Sequence, residues 1–400
     1  MAAEQARDLI TVDEARTMVM AHVPLMPAEF RKLEDAVGCV LAADAQAAAD
    51  HPQFDMSAVD GYALGGPMGP WKQVDTIAAG QVMSSPLLAG ECARIFTGAQ
   101  VPAGCHAVVM QERCTWRDEL LTVDMTVIPE GANIRRRAEA FRMDDMLLTK
   151  GARLDPASVG LLASAGLAHA MVSMVPTVSI VRTGEEFIEE GAEPAGRIHS
   201  SNDVMLIAAL RDGGFANDSG PLIAGDDRLE LRDALTVALD EGDVLITTGG
   251  VSVGDHDLVR PVLEGMGAAI HFHGVSQKPG KPMLFATLRG KPVFALPGNP
   301  RAVLVGWYLY VLPFLRAMEG ASDPWPRSER LPIAQALRWK GGRTEFRAGF
   351  LRDGQVHLLS DEGSHMLNSM TMAEVLVELP KDLGERAPGN DILVHHLPRR

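Results

Sequence analysis

Apolar positions change period several times along the chain, and each change marks a predicted change of architecture. Thr11 followed by Glu14 has the form of a capping box, each side chain able to satisfy a backbone N–H, so a short N-terminal helix is predicted there. From about His51 to Asp145 short apolar runs are broken by Gly65-Gly66-Pro67, Gly90, Pro102 and Gly104, the pattern of a separate β-rich domain. Helical periodicity resumes at Asp155-Pro156, an N-cap with Pro at the first helical position, and stops at Gly166. This segment is read as rejoining the N-terminal helix, which makes the β-rich part an insertion.

From Thr177 to about Pro324 strand-like and helical stretches alternate, as in a doubly wound α/β domain with a mainly parallel sheet. The predicted strands are 178–181, 244–248, 283–287 and 293–296. The predicted helices are 202–211, stopped by Gly213-Gly214, 227–240, stopped by Gly242, and 302–318. After Trp325 the period returns to two, and runs at 346–351 and 356–359 flank Asp353-Gly354, a dipeptide suited to a tight hairpin. The predicted organisation is a helical linker domain (1–50 and 144–176), an inserted β-rich domain (51–143), an α/β domain (177–324) and a C-terminal β-domain (325–400).

A formal net charge of −15 argues against a surface that binds nucleic acid non-specifically, so an anionic ligand must meet a local positive site. Cys39, Cys92, Cys105 and Cys114 form no CxxC pair, and 400 residues need no disulfide framework, which fits a reducing compartment. The first ten residues carry acids and no apolar h-region, so no export signal is read there. The run 302–315 contains Gly306 and Pro313 and is too short to span a bilayer, so it is read as a buried core helix. These features together predict a cytoplasmic protein.

In an open parallel sheet ligands bind outside the carboxyl ends of the strands. After the first strand comes Thr183-Gly184-Glu185-Glu186, a sharp turn that presents a carboxylate. After 244–248 comes Gly249-Gly250-Val251-Ser252-Val253-Gly254, whose bare backbone can approach an anion. After 293–296 comes Pro297-Gly298-Asn299-Pro300, a rigid turn that starts a helix and points its positive end at the same edge. Lys278-Pro279-Gly280-Lys281-Pro282 adds two ammonium groups on a stiffened loop. Elsewhere, Asp55 reads as an Asx-type turn, whereas Asp60 before Gly61 suits metal or proton work as well as a turn. Arg135-Arg136-Arg137 suits oxyanion contacts as well as a solvated charge run. His271 and His273 would share a strand face, but with no third ligand nearby they read as structural.

The ordered set of loops resembles the molybdopterin molybdotransferase (molybdenum insertase) family, whose relatives include gephyrin. The matching residues are Ser57-Ala58-Val59-Asp60-Gly61-Tyr62-Ala63, Thr97-Gly98-Ala99 with Val101-Pro102, Asn133 to Arg137 and Thr183 to Glu186. They continue through Gly249 to Asp255, Lys278 to Pro282, Leu296 to Pro300, and Gly363-Ser364-His365 with Ser369. The resemblance implies a molybdopterin-binding α/β domain, a helical linker with a β-rich insertion and a C-terminal β-barrel, assembled as a homodimer. It implies insertion of molybdate into adenylylated molybdopterin with release of AMP, assisted by Mg²⁺ or a similar divalent metal, and contact with the molybdopterin adenylyltransferase. It places Gly249, Gly250, Ser252 and Gly254 with Asp243 and Asp257 in the nucleotide and pterin-phosphate site, and Asp226 as a further acid. Asp60 and Glu186 are then the metal-holding or water-activating acids, and Lys278 and Lys281 bind anionic pterin or molybdate. Thr97, Arg135 and Ser369 contact molybdate or pterin.

The chain departs from the family pattern twice. Ala138-Glu139-Ala140 stands where the family continues Gly-Glu-Asp, and Gly274 replaces a lysine four positions before Lys278. These losses make a non-catalytic molybdopterin-binding or scaffolding paralogue the competing expectation.

Overall fold

The structure, a computed structural model, describes residues 9–188, 196–215, 220–251, 258–339, 341–360, 363 and 365–398. The chain forms two compact units, one of residues 1–29, 38–42 and 173–400, the other of 30–37 and 43–172.

The first unit is built on a six-stranded sheet. Its strand order is Pro221–Ala224, Val178–Thr183, Val244–Thr248, Lys291–Leu296, Leu284–Leu288 and Ala269–His273. The first four run parallel and the last two are antiparallel additions, so the sheet is mixed beyond Leu296. Strand residues alternate between two cores. Ile180, Ile246 and Phe294 face a cluster with Leu206, Leu210, Val303 and Phe314, while Val181, Leu245 and Ala295 face one with Leu231, Leu235 and Leu263. Burial on both faces explains why these strands read as unbroken apolar runs.

The long apolar helix Pro300–Met318 is one side of this sandwich, with 78% of its most apolar stretch buried. Length and composition would let it cross a membrane, but its side chains are spent on the sheet. The N-terminal helix Val12–Met20 starts with the predicted capping box, Thr11 accepting from Glu14 N–H and Glu14 from Thr11 N–H. It buries Val12, Ala15 and Val19 in the same core, whereas the helix Pro156–Ser164 belongs to the other unit.

The C-terminal strands Ser328–Pro332, Asp391–His396, Val375–Leu379, Thr344–Arg352 and Gln355–Leu358 pair antiparallel in that spatial order. A bridge from Ile333 to Val356 brings the ends of the path together, giving a small barrel. Asp353 and Gly354 both take positive φ (51° and 73°), the conformation that a two-residue hairpin needs.

The second unit holds a six-stranded sheet in the order Ala107–Met110, Gly61–Leu64, Glu91–Ile95, Trp71–Ile77, Leu120–Val123 and Cys114–Arg117. Gly61 is demanded by packing: a Cβ there would lie 1.9 Å from the Val109 carbonyl oxygen. The four cysteines are free thiols. Burial raises Cys92 to about 12 and Cys105 and Cys114 to about 11, so these three stay protonated.

Ala138 adopts φ 59°, a left-handed conformation that an L-side chain resists. Its backbone is pinned there, its N–H donating to the Pro52 carbonyl at 2.9 Å. Ala138→Gly is therefore expected to raise the stability of this unit by about 1 kcal/mol, read from the urea midpoint. An unchanged or lower midpoint would contradict it.

Candidate functional site

Each unit carries its own part of the predicted set. In the first, the parallel strands end together, placing Thr183, Ala224, Thr248 and Leu296 at one sheet edge. The loops that leave these ends interlock through backbone. Gly249 N–H donates to the Leu296 carbonyl (3.2 Å), and Gly184 N–H to the Ala224 carbonyl (3.2 Å). Gly249 has φ 91°, and a Cβ on it would fall 2.7 Å from Thr183 Oγ1. A Cβ on Gly298 would lie 3.9 Å from Gly249 Cα, so the glycine loop and the Pro297 turn touch as bare backbone. Pro297 is buried, Pro300 partly so, and Gly298 and Asn299 are exposed at the positive end of the Pro300–Met318 helix.

Asn202, read from the sequence only as a helix start, ties this edge together. Its Nδ2 donates to Thr248 Oγ1 at 2.9 Å and to the Gly298 carbonyl at 2.8 Å. Its Oδ1 is buried with no hydrogen-bond partner among the described residues. Ser200-Ser201-Asn202-Asp203, four polar residues opening a helix, was the available signal. Arg182 pairs with Asp203 (3.1 Å) and lies over the Phe187 ring (4.5 Å), bracing the strand that leads to Gly184.

The carboxylates gather on one side of the edge. Glu186 folds back over Gly184, where a Cβ would come within 2.1 Å of its Oε2. Asp226 is exposed beside Asp227, which caps the next helix by accepting from Leu229 and Glu230 N–H. Asp243, expected with them, lies at the opposite edge of the sheet. It precedes the strand Val244–Thr248 and accepts from Thr177 N–H (2.9 Å) and Oγ1 (2.8 Å), roughly 20 Å of extended chain from Gly249. Its work is to clip two strand beginnings. Ser252, Gly254 and Asp257 lie outside the described residues.

Lys278 and Lys281 are exposed. The segment Gln277–Lys278 pairs in parallel with Thr344 and Glu345 of the C-terminal sheet, and Lys278 Nζ reaches Glu345 Oε1 at 3.2 Å. Glu345 is buried and is shared with Arg347 (3.3 Å). Arg301, 2% exposed in the first turn of the long helix, donates to the Phe346 carbonyl. A lone arginine opening an apolar helix was the overlooked sign. Ser369 is nearly buried in the helix Asn368–Met372. At the lost family lysine, Gly274 has φ 104° and is buried, and a Cβ there would meet Leu9 at 2.8 Å. No side chain fits that position as it stands. His271 and His273 are structural: His271 bonds Thr287 and lies against the tilted His22 ring (centroids 3.7 Å apart), and His273 bonds the Val251 carbonyl and Arg260.

In the second unit Asp60 Oδ1 accepts from both Thr97 N–H and Thr97 Oγ1 at 2.8 Å. The Thr97 backbone N–H is the main reason its carboxyl titrates below the ordinary aspartate value. Asp55 is not a local turn cap. It accepts from Arg136 (2.7 Å) and Arg137 N–H (2.8 Å), while Arg137 also pairs with Asp50. Of the three arginines, Arg135 is exposed with no ion pair seen among the described residues. Its strand pairs with Met56-Ser57, and Ser57 O accepts from Gly98 N–H, so Arg135, Asp60 and Thr97 are held in one meshwork. Among the described residues no group of three or more His, Cys, Asp or Glu forms a metal cluster.

The fold defines a multidomain α/β and β protein with a loop-built edge of a parallel sheet, the place where such sheets take small ligands. Residues 179–317 match the probable molybdopterin binding domain, residues 10–166 the MoeA N-terminal region (domain I and II) and residues 330–397 the MoeA C-terminal region (domain IV). The chain is 30% identical over 405 residues to the molybdopterin molybdenumtransferase of Haemophilus influenzae, covering 96% of this chain and 98% of that one. It is 33% identical to the enzyme of that name from Nostoc sp., covering 92% and 89%. A crystal structure of the molybdopterin biosynthesis moeA protein from Pyrococcus horikoshii OT3 superposes with a TM-score of 0.82 at 27% identity, covering 97% of this chain and 100% of that one. The chain belongs to the molybdopterin molybdenumtransferase family.

The Asp60–Thr97 clamp predicts a pH dependence. A depressed folded pKa means that the clamp's stabilisation is present above the unfolded aspartate value of about 3.9 and is lost only as pH falls through the lower folded value. An NMR titration of the Thr97 amide should therefore have its midpoint below that of a model aspartate, and Thr97→Val, which keeps the backbone N–H and removes the hydroxyl, should move Asp60 only part of the way back up. A wild-type midpoint at the ordinary value would contradict the clamp.

Proposed function

We propose that this protein is a molybdenum insertase: a transferase that places molybdate into adenylylated molybdopterin, with cleavage of the pyrophosphate bond and release of AMP. The observation that carries this reading is the convergence of the Gly249 loop, the Pro297 turn and Glu186 at one edge of the parallel sheet. Bare N–H groups and a helix N-terminus suit the phosphates of the nucleotide. Lys278 and Lys281 supply the positive charge for an oxyanion whose oxygens are displaced by the dithiolene sulfurs. Thr183, Gly184, Asp226, Gly298, Asn299 and Ser369 complete the assignment in the first unit, and Thr97 and Arg135 in the second.

Glu186 in the first unit and Asp60 in the second are each proposed as a carboxylate able to hold Mg²⁺, because Mg²⁺ is commonly held by one or two carboxylates with substrate phosphates rather than by a protein cage. When bound, it would neutralise pyrophosphate charge. Asp60 is ionised and keeps Oδ2 clear of Thr97.

The domain reading is carried forward with this function, as are a homodimeric assembly, a cytoplasmic setting and delivery of substrate by the molybdopterin adenylyltransferase. The two departures from the family do not favour the scaffold alternative. Gly274 occupies a buried backbone turn, and Glu139 still accepts from Arg136 N–H at 2.8 Å.

The purified protein, given adenylylated molybdopterin and Mg²⁺, is expected to release AMP only when molybdate is added. Lys278→Met should cut that rate about a hundredfold. AMP release that ignores molybdate, or none at all, would end the proposal.

A further inference from the structure

Between the two site lysines the loop is fixed from below by a side chain that has no other evident reason to be polar. Gln277 is fully buried, and its Nε2 donates to the carbonyls of Pro279 (3.1 Å) and Gly280 (3.5 Å). Its Oε1 accepts from the hydroxyl of Tyr310, itself fully buried. A buried amide is costly unless both of its ends are satisfied, and here both are satisfied by these contacts. Burial keeps the Tyr310 phenol protonated and therefore a donor.

Tyr310 sits in Trp307–Val311, a π-helical turn within the long helix Pro300–Met318. A π turn inserts one residue and rotates the downstream residues by about 100° relative to an unbroken α-helix. The same helix thus opens at the Pro297 turn and, some ten residues later, supplies the phenol that braces the lysine loop. On the other side, the Gln277 carbonyl accepts from Arg343 (3.2 Å), and Thr344 N–H donates to the Ser276 carbonyl (3.1 Å).

We propose that Tyr310 and Gln277 are positioning residues that set the direction and spacing of Lys278 and Lys281 toward the oxyanion. This rests on the reading of the lysine loop as the anion site. Neither residue touches the ligand; both act through the loop carbonyls.

The test compares Tyr310→Phe, Gln277→Met, the double variant and Lys278→Met for molybdate KM, kcat, melting temperature and hydrogen exchange at the Gly280, Lys281 and Met283 amides. Tyr310→Phe should raise the molybdate KM about threefold to tenfold, change kcat less, and speed exchange in the loop. In the double variant neither the hydroxyl nor the amide is left without the other, and only the loop carbonyls lose their donor, so the melting temperature should recover part of the way toward wild type while KM stays high and exchange stays fast. Recovery of KM together with the melting temperature would make the pair merely structural and overturn the proposal. So would a Tyr310→Phe protein with unchanged KM and exchange while Lys278→Met raises KM. If Lys278→Met leaves the molybdate KM unchanged, the loop is not the anion site, and the inference falls with that reading.

Discussion

At the carboxyl edge of a parallel sheet the backbone ladder ends, and each strand passes its chain to a loop with peptide groups left to satisfy. Here four strands finish side by side, and the loops resolve the problem partly among themselves. Gly249 bonds to the Leu296 carbonyl, and Asn202 bridges Thr248 to Gly298. These contacts need glycine, because a Cβ on Gly249 would collide with Thr183. The outcome is an edge of bare amide backbone, with a helix N-terminus behind it and carboxylates to one side, which is the electrostatic setting that the proposed chemistry requires.

Three of the four parallel strands, the three long helices and the hairpin at Asp353-Gly354 were legible because their signals are local: apolar runs, N-caps, stop glycines and turn dipeptides. The edge strand Pro221–Ala224 was not read, since it is short and borrows its stability from a neighbour, and Ala269–His273 was met only as the strand that carries His271 and His273. The glycine and proline loops of the site were legible for the same local reason. Asp243 entered the site through the family resemblance, although it precedes its strand and so stands at the amino end, away from the loops that leave the carboxyl ends. Asn202, Arg301 and the Gln277–Tyr310 pair act through partners 33 to 96 residues distant, and no spacing rule reaches that far.

Charge is distributed to match. The chain carries 52 acids against 37 lysines and arginines, yet Arg347, Arg301 and Lys278 gather around the buried carboxylate of Glu345, and Arg343 donates to the nearby Gln277 carbonyl. A local positive region within an anionic protein can hold a small oxyanion while the remaining surface repels longer polyanions. In the other unit the pattern is reversed, since Asp50 and Asp55 occupy Arg137 and Arg136, and Arg135 alone stays clear of such pairing among the described residues.

The short parallel pairing of Gln277–Lys278 with Thr344–Glu345 bears on how the protein can be dissected. It joins a loop of the α/β sheet to the first long strand of the C-terminal barrel, and through Glu345 it provides the counter-ion of Lys278. An excised α/β fragment would keep its sheet and the core around Leu231 and Leu263, but the other core would lose Val12, Ala15, Phe346 and Leu376, and the lysine arm would lose its tether. The barrel thus holds the lysine arm in place, and a fragment meant to keep Lys278 as it stands here must include the strand Thr344–Arg352.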